Sequence, residues 1–189
     1  SGKTVAAVGE KSIEWVILCV ACFTHGITFL PIDQTYEASE IARRLSFCDT
    51  KIVFTDLSHR LKSNCPSDVK ECCFEDIEEC IDIGEKRIEN GDAFAEHDLQ
   101  IKEDDPALLI FTSGGKTKCA VLLEKNLTPE RYLWTGIEMD RYPCLSMLPF
   151  CHVAGIKDII GALITGTYVY VSLGTRYIID DFLHVQPVC

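Results

Sequence analysis

Short β-prone runs alternate with helical stretches along this chain, and that alternation constrains its fold more than any other feature. Thr4–Val8 is β-prone and ends at Gly9; Ser12 is placed to cap a helix over Ile13–Thr24, which His25-Gly26 stops. Ile27–Ile32 reads as extended, ending around Pro31. Glu37–Phe47 carries Ile41 and Leu45 among charged residues, the spacing of an amphipathic helix. Lys51–Thr55 reads as a third strand and Leu57–Lys62 as a short helix. Repeated strand–helix–strand units predict an α/β fold with a mostly parallel sheet flanked by helices.

The pattern then weakens. Asp68–Asp105 is acidic and weakly periodic, and reads as a variable connection with one or two short elements. After Pro106 it resumes: a buried strand at Ala107–Phe111, a polar turn, and a second strand at Cys119–Leu123. Thr128-Pro129-Glu130 has the hydroxyl cap, first-position proline and early acid of a helix start. Leu145–Leu148 predicts a strand, Ala154–Thr165 a helix closed by Gly166, Thr167–Ser172 a strand and Tyr177–His184 a helix. Parallel sheets bind ligands in the loops at the carboxyl ends of their strands. That rule singles out the loops after Phe111 and after Leu148.

Charge and composition narrow the function classes. A net charge of −11 over 189 residues, with Lys and Arg scattered, excludes a nucleic-acid backbone binder. The longest apolar run, Trp15–Phe23, is about half of what a bilayer needs, so no transmembrane segment is expected. The sequence opens at Ser1-Gly2-Lys3 with neither a charged-then-apolar stretch nor an initiator methionine, so no signal peptide is expected. The expectation is a cytoplasmic protein whose sequence here starts inside a longer chain. Eleven cysteines without a secretory leader read as reduced thiols. Cys19 and Cys22 form a CxxC inside an apolar helical stretch, where thiols pack as small hydrophobes. Cys65, Cys72, Cys73 and Cys80 lack paired knuckles or a matching His pair, so no metal site is assigned.

Thr112-Ser113-Gly114-Gly115-Lys116-Thr117-Lys118 has the composition of a phosphate cradle at a strand end. Glycines let backbone N–H groups approach, hydroxyls donate, and ammonium groups neutralise charge. A solvated hairpin turn has the same composition, so the residues alone leave both readings open. Gly115-Lys116-Thr117 matches the end of a Walker A loop, but the leading glycine would fall at Ile110 and a strand follows where that motif opens a helix. Gly2-Lys3-Thr4 fails the same test, being followed by a strand.

The pattern that fits resembles AMP-forming acyl-CoA synthetases, long-chain fatty acid–CoA ligases of the adenylate-forming superfamily in particular. Their phosphate loop reads T-S-G-T-T-G-x-P-K-G, followed by apolar residues and H-x-N-L. Phe111-Thr112-Ser113-Gly114 is similar to its start, Lys118 falls at its second lysine, and the register runs on to Asn126-Leu127. The hydroxyl pair between Gly114 and Gly115 is missing, Thr117 replaces the proline, Cys119 the following glycine and Glu124 the usual histidine. Gly9-Glu10-Lys11-Ser12-Ile13-Glu14-Trp15 resembles the family's G-x-N-S-x-E-W, and Gly26–Asp33 its G-x-x-x-V-P-L/I-D. Asp104-Asp105-Pro106-Ala107 precedes the loop as it often does there. Leu145–Gly155 is similar to L-S-x-L-P-x-x-H-x-x-G of long-chain members, Thr165–Val169 to S-G-A-T-V, and Asp181–Val188 to D-L-x-x-x-x-P-T.

The resemblance implies that Thr112, Ser113, Gly114, Gly115, Lys116, Thr117 and Lys118 contact ATP phosphates, and that His152 stands near the reacting carboxylate and α-phosphate. It implies ATP, Mg2+ and CoA as cofactors of the full-length parent and a small-molecule carboxylate, with a fatty acid favoured, as substrate. It implies that residues 1–189 form a partial N-terminal AMP-binding domain. The adenine and ribose motifs, the hinge and the lid domain lie in the missing C-terminal portion of the chain, so the fragment alone is expected to be inactive. A non-catalytic relative, a binding or interaction module with a decayed loop, is the alternative that the lost hydroxyls suggest.

Overall fold

The computed structural model describes residues 3–92, 100–112, 118–127, 143–172 and 174–187. The chain divides into two compact units, Ser1–Glu124 and Lys125–Cys189.

The first unit is built on a six-stranded sheet in the order β4-β3-β1-β2-β5-β6. Its strands are β1 (Thr4–Val8), β2 (Thr28–Ile32), β3 (Thr50–Thr55), β4 (Lys70–Cys73), β5 (Pro106–Phe111) and β6 (Cys119–Leu123). All neighbours are parallel except β5 and β6, which form an antiparallel pair with Phe111 opposite Cys119. β1 and β2 are buried at every position, which is why they read as continuous apolar runs without alternation. Helix α1 (Ile13–Thr24) starts where Ser12 Oγ accepts from Trp15 N at 3.2 Å. It buries Trp15, Leu18, Cys19 and Cys22, and Trp15 meets Phe29 edge-on at 5.0 Å between ring centres. Burial pushes the Cys22 thiol up to about 12 and the Cys19 thiol up as well, with the neighbouring Cys22 adding to Cys19. Helix α2 (Ala38–Phe47) covers the core of Ala6, Val8, Leu30, Ile32 and Val53 with Ile41 and Leu45.

β2 ends at Ile32, one residue past Pro31, as expected; Pro31 pairs opposite Ala7, while pairing to β5 is confined to Phe29 and Leu108. A proline has no N–H to give a second neighbour, and here little is asked of it. Leu57–Lys62 is not one helix but two 3-10 turns, Leu57–His59 and Lys62–Asn64. Its N–H groups are claimed by carboxylates instead: Asp56 takes Ser58 N and His59 N, and Glu71 takes Leu61 N and Lys62 N. The acidic stretch is more ordered than its sequence suggests, supplying edge strand β4 and a helix, α3 (Ile77–Glu89). α3 buries Ile77 but leaves Ile81, Ile83 and Ile88 exposed, so its apolar residues trace no buried stripe.

The second unit pairs two short parallel strands, β7 (Cys144–Ser146) and β8 (Val169–Val171). They are shorter than the Leu145–Leu148 and Thr167–Ser172 runs expected for them. Helices α4 (Val153–Thr165) and α5 (Ile178–Val185) accompany them. Gly166 closes α4 at φ 68°, a left-handed conformation that costs glycine little. The helix start expected at Thr128 lies outside the described residues. Among the described residues no helix is long and apolar enough to cross a membrane.

Candidate functional site

β1, β2, β3 and β5 run parallel, so the loops that follow them leave from one edge of the sheet. The 112–118 loop is one of these. Thr112 and Lys118 are brought together at its mouth, where Thr112 N donates to Lys118 O at 3.0 Å just beyond the Phe111–Cys119 pair. Both residues are exposed. Ser113, Gly114, Gly115, Lys116 and Thr117 lie outside the described residues.

The loop's root rests on α2. Arg44, only 7% exposed, holds its guanidinium carbon 4.3 Å from the Phe111 ring centre and 4.1 Å from that of Tyr36. Its Nε donates to Glu40 Oε1 at 2.7 Å, and Phe47 packs on Phe111 with ring centres 6.1 Å apart. Hydrogen bonds from Arg43 and Arg44 hold the Glu40 carboxyl down at about 2. Cys119 turns its sulfur toward Cys48, which ends α2, at 3.9 Å. Sequence reasoning missed Arg44. The signal was there: it follows Ile41 by three residues and so falls on the core-facing stripe of an amphipathic helix.

A second cluster ties the exits of β1 and β3. Asp56 Oδ2 accepts from Glu10 N at 2.8 Å, and Asp56 Oδ1 accepts from Ser58 N and His59 N at 2.9 Å each and lies 2.7 Å from His59 Nδ1. Burial raises the Asp56 carboxyl, but the bonds from Glu10 N and His59 outweigh it and leave it below its ordinary value. Asp33, after β2, is likewise engaged, accepting from Thr35 N and Thr35 Oγ1 at 2.9 and 2.7 Å. The carboxylates at Asp33 and Asp56 therefore shape loops through their hydrogen bonds.

His152 belongs to the second unit, where it caps α4: its Nδ1 accepts from Ala154 N at 3.2 Å and the side chain is exposed. With the Nδ1 lone pair engaged, the neutral ring carries its proton on Nε2 and presents an N–H donor. The turn before α4 is tight. His152 N donates to Pro149 O at 3.0 Å, and a Cβ on Gly155 would overlap the Pro149 carbonyl oxygen and come within 3.1 Å of Leu148 O. Glycine three residues after the histidine is thus a packing requirement. Of the other histidines, His25 Nδ1 bonds Ala21 O at 3.0 Å, His184 lies beside Tyr170, and His97 is outside the described residues. Among the described residues no group of three or more His, Cys, Asp or Glu is placed to hold a metal ion.

Comparison with known proteins gives these sites a context. The profile of the family described as AMP-binding enzyme matches residues 1–185. Tyrocidine synthase 1 of Brevibacillus parabrevis is 28% identical over 184 residues, covering 94% of this chain and 16% of that protein. The structure of o-succinylbenzoate CoA synthetase from Bacillus subtilis in complex with ATP and magnesium ion matches with a TM-score of 0.76 at 20% identity, covering 99% of this chain and 49% of that one. The N-terminal domain of FACL13 from Mycobacterium tuberculosis matches with a TM-score of 0.79 at 19% identity, covering 97% and 47%. The chain spans about half the length of these solved structures and far less of the curated relative.

Proposed function

Because the chain belongs to the AMP-binding enzyme family, we propose that the protein carrying it activates a carboxylic acid with ATP and passes the acyl group to CoA. A carboxylate oxygen attacks the α-phosphorus of ATP, the bond to pyrophosphate breaks, and an acyl-adenylate forms. The CoA thiol then attacks the acyl carbonyl, AMP leaves, and the thioester remains. The work of the protein is positioning and charge stabilisation.

Thr112, Ser113, Gly114, Gly115, Lys116, Thr117 and Lys118 hold the β- and γ-phosphates through backbone N–H groups, hydroxyls and ammonium groups. Hydroxyls and ammonium groups suit phosphate oxygens, and no carboxylate stands in the loop, so Mg2+ enters bound to ATP. His152 is the catalytic residue, its Nε2–H stabilising charge on the adenylating oxygens. A fatty acid is the substrate class, supported by Leu145–Gly155 and its likeness to long-chain members. Residues 1–189 act as a partial N-terminal AMP-binding domain, inactive until joined by the remaining half and lid of the enzyme, in the cytoplasm.

One observation carries this reading: a glycine- and lysine-bearing loop closed by Thr112 N to Lys118 O at the carboxyl end of β5. Pyrophosphate release by the full-length protein, with ATP, CoA and a panel of acids, tests it. Fatty acids should drive release and Lys118→Met should reduce it about 100-fold, a loss of the size seen when one stabilising donor is removed. ATP binding without release for any acid would favour the non-catalytic alternative.

A further inference from the structure

We propose that Cys48 and Cys119 form a reversible disulfide that clamps the root of the 112–118 loop to the C-terminal end of α2. The two sulfurs are 3.9 Å apart, although the residues are 71 positions apart in sequence. Both lie in the first compact unit, and both are half-buried. A disulfide needs about 2.05 Å between sulfurs, so bonding requires the two side chains to move toward each other. Cys119 opens β6 directly after Lys118, and Cys48 follows Phe47, which packs on Phe111. The bond would thus cross-link the two elements that already meet at the loop's root.

The chemistry divides the roles. The Cys48 thiol donates to Cys119 Sγ, and the Cys119 thiol faces the Ala120 carbonyl at 3.9 Å. Burial pushes both thiols above their ordinary value, Cys48 to about 12; at Cys119 the bond from Cys48 and the nearby Arg44 guanidinium oppose part of that rise. Of the two, Cys119 is therefore the sulfur that attacks, and the pair stays reduced until an oxidant arrives. With hydrogen peroxide, the Cys119 thiolate attacks one peroxide oxygen, the O–O bond breaks, and a sulfenic acid and hydroxide form; the hydroxide takes up the proton that the thiol released, giving one water. Cys48 sulfur then displaces the sulfenic oxygen, which leaves as a second water carrying the Cys48 proton. Two thiols are oxidised and one peroxide is reduced. Cys19 and Cys22, buried on α1, are shielded from the same oxidant.

The cross-link itself depends on no function. Its effect on activity rests on the phosphate reading of the loop: a clamped root cannot adjust around a triphosphate, so ATP affinity falls.

Trypsin cuts after Arg44, Lys51, Lys118 and Lys125, which isolates Cys48 in Leu45–Lys51 and Cys119 in Cys119–Lys125. The full-length protein is treated with hydrogen peroxide, alkylated, digested and analysed by mass. The expected result is a linked Leu45–Lys51/Cys119–Lys125 peptide that dithiothreitol abolishes and that Cys48→Ser lacks. Recovery of both peptides alkylated or oxidised singly, or of Cys119 joined to another cysteine, overturns the proposal. A second arm measures ATP affinity: oxidation should weaken it about 5-fold or more in the wild type, while Cys48→Ser, active before treatment, should be unaffected. A linked peptide in a protein with no ATP-dependent activity leaves the disulfide standing and overturns the phosphate reading alone. An equal loss of ATP affinity in Cys48→Ser overturns the clamp.

Discussion

The guanidinium of Arg44 lies 4.3 Å from the centre of the Phe111 ring, so α2 carries the last residue of β5 before the 112–118 loop departs. A largely desolvated cation over an aromatic face contributes about 2 kcal/mol. Arg44→Met, which keeps length and loses charge, should lower stability by about that much, read from the urea midpoint. Nucleotide affinity should fall as well, because the loop loses its support. An unchanged midpoint would mean that the stack contributes nothing.

Gly9 and Asp56 make a second tight contact: a Cβ on Gly9 would sit 2.7 Å from Asp56 Oδ2. Gly9→Ala must push the carboxylate off Glu10 N, and should cost about 1–3 kcal/mol, as overpacking does.

Asp56 also sets an acid limit. Its folded value lies below the unfolded carboxylate value of about 3.9. Its contribution is therefore present above that pH and is lost as pH falls through the folded value. Asp56→Asn should lower Tm at pH 6 and flatten its decline in acid. Equal acid slopes in variant and wild type would contradict the assignment.

Glu124 has the opposite sign. Burial raises its carboxyl, Asp105 adds to the rise, and its Oε1 is buried with no hydrogen-bond partner among the described residues. Its contribution is full below the unfolded value and is lost as pH rises through the folded one, so at neutral pH the charged form is a cost. Glu124→Gln should raise Tm at pH 7 and change it little at pH 4. A drop at pH 7 would show that the charge is compensated.

At His152 a cap and a chemical role coincide. His152→Ala removes the acceptor for Ala154 N and should cost about 1 kcal/mol, whereas His152→Asn keeps a good cap. If the ring acts only as a cap, Asn restores activity together with Tm. The proposed Nε2 donor predicts that Asn restores Tm alone.

Local rules explain how much of this was legible. α1 was readable because Ser12 caps it and Trp15, Leu18, Cys19 and Cys22 trace one buried face. Gly166 marked the end of α4, and the strand–turn–strand around 112–118 was readable from its apolar flanks. α3 was not, because it packs through Ile77 and leaves its other isoleucines in solvent, so burial imposed no period on the sequence. The Asp56 and Glu71 clasps were invisible for another reason. Each carboxylate takes backbone N–H groups across a loop, as Asp56 does with Glu10 46 residues away, and such pairing leaves no local pattern.

An oxygen-isotope label tests formation of the acyl-adenylate most directly. Full-length protein is given ATP, CoA and a fatty acid whose carboxylate carries heavy oxygen. AMP should bear one heavy oxygen per turnover, because the attacking carboxylate oxygen leaves with AMP when the thiol displaces it. Unlabelled AMP, ADP in place of AMP, or no cleavage with any acid would contradict the acyl-adenylate.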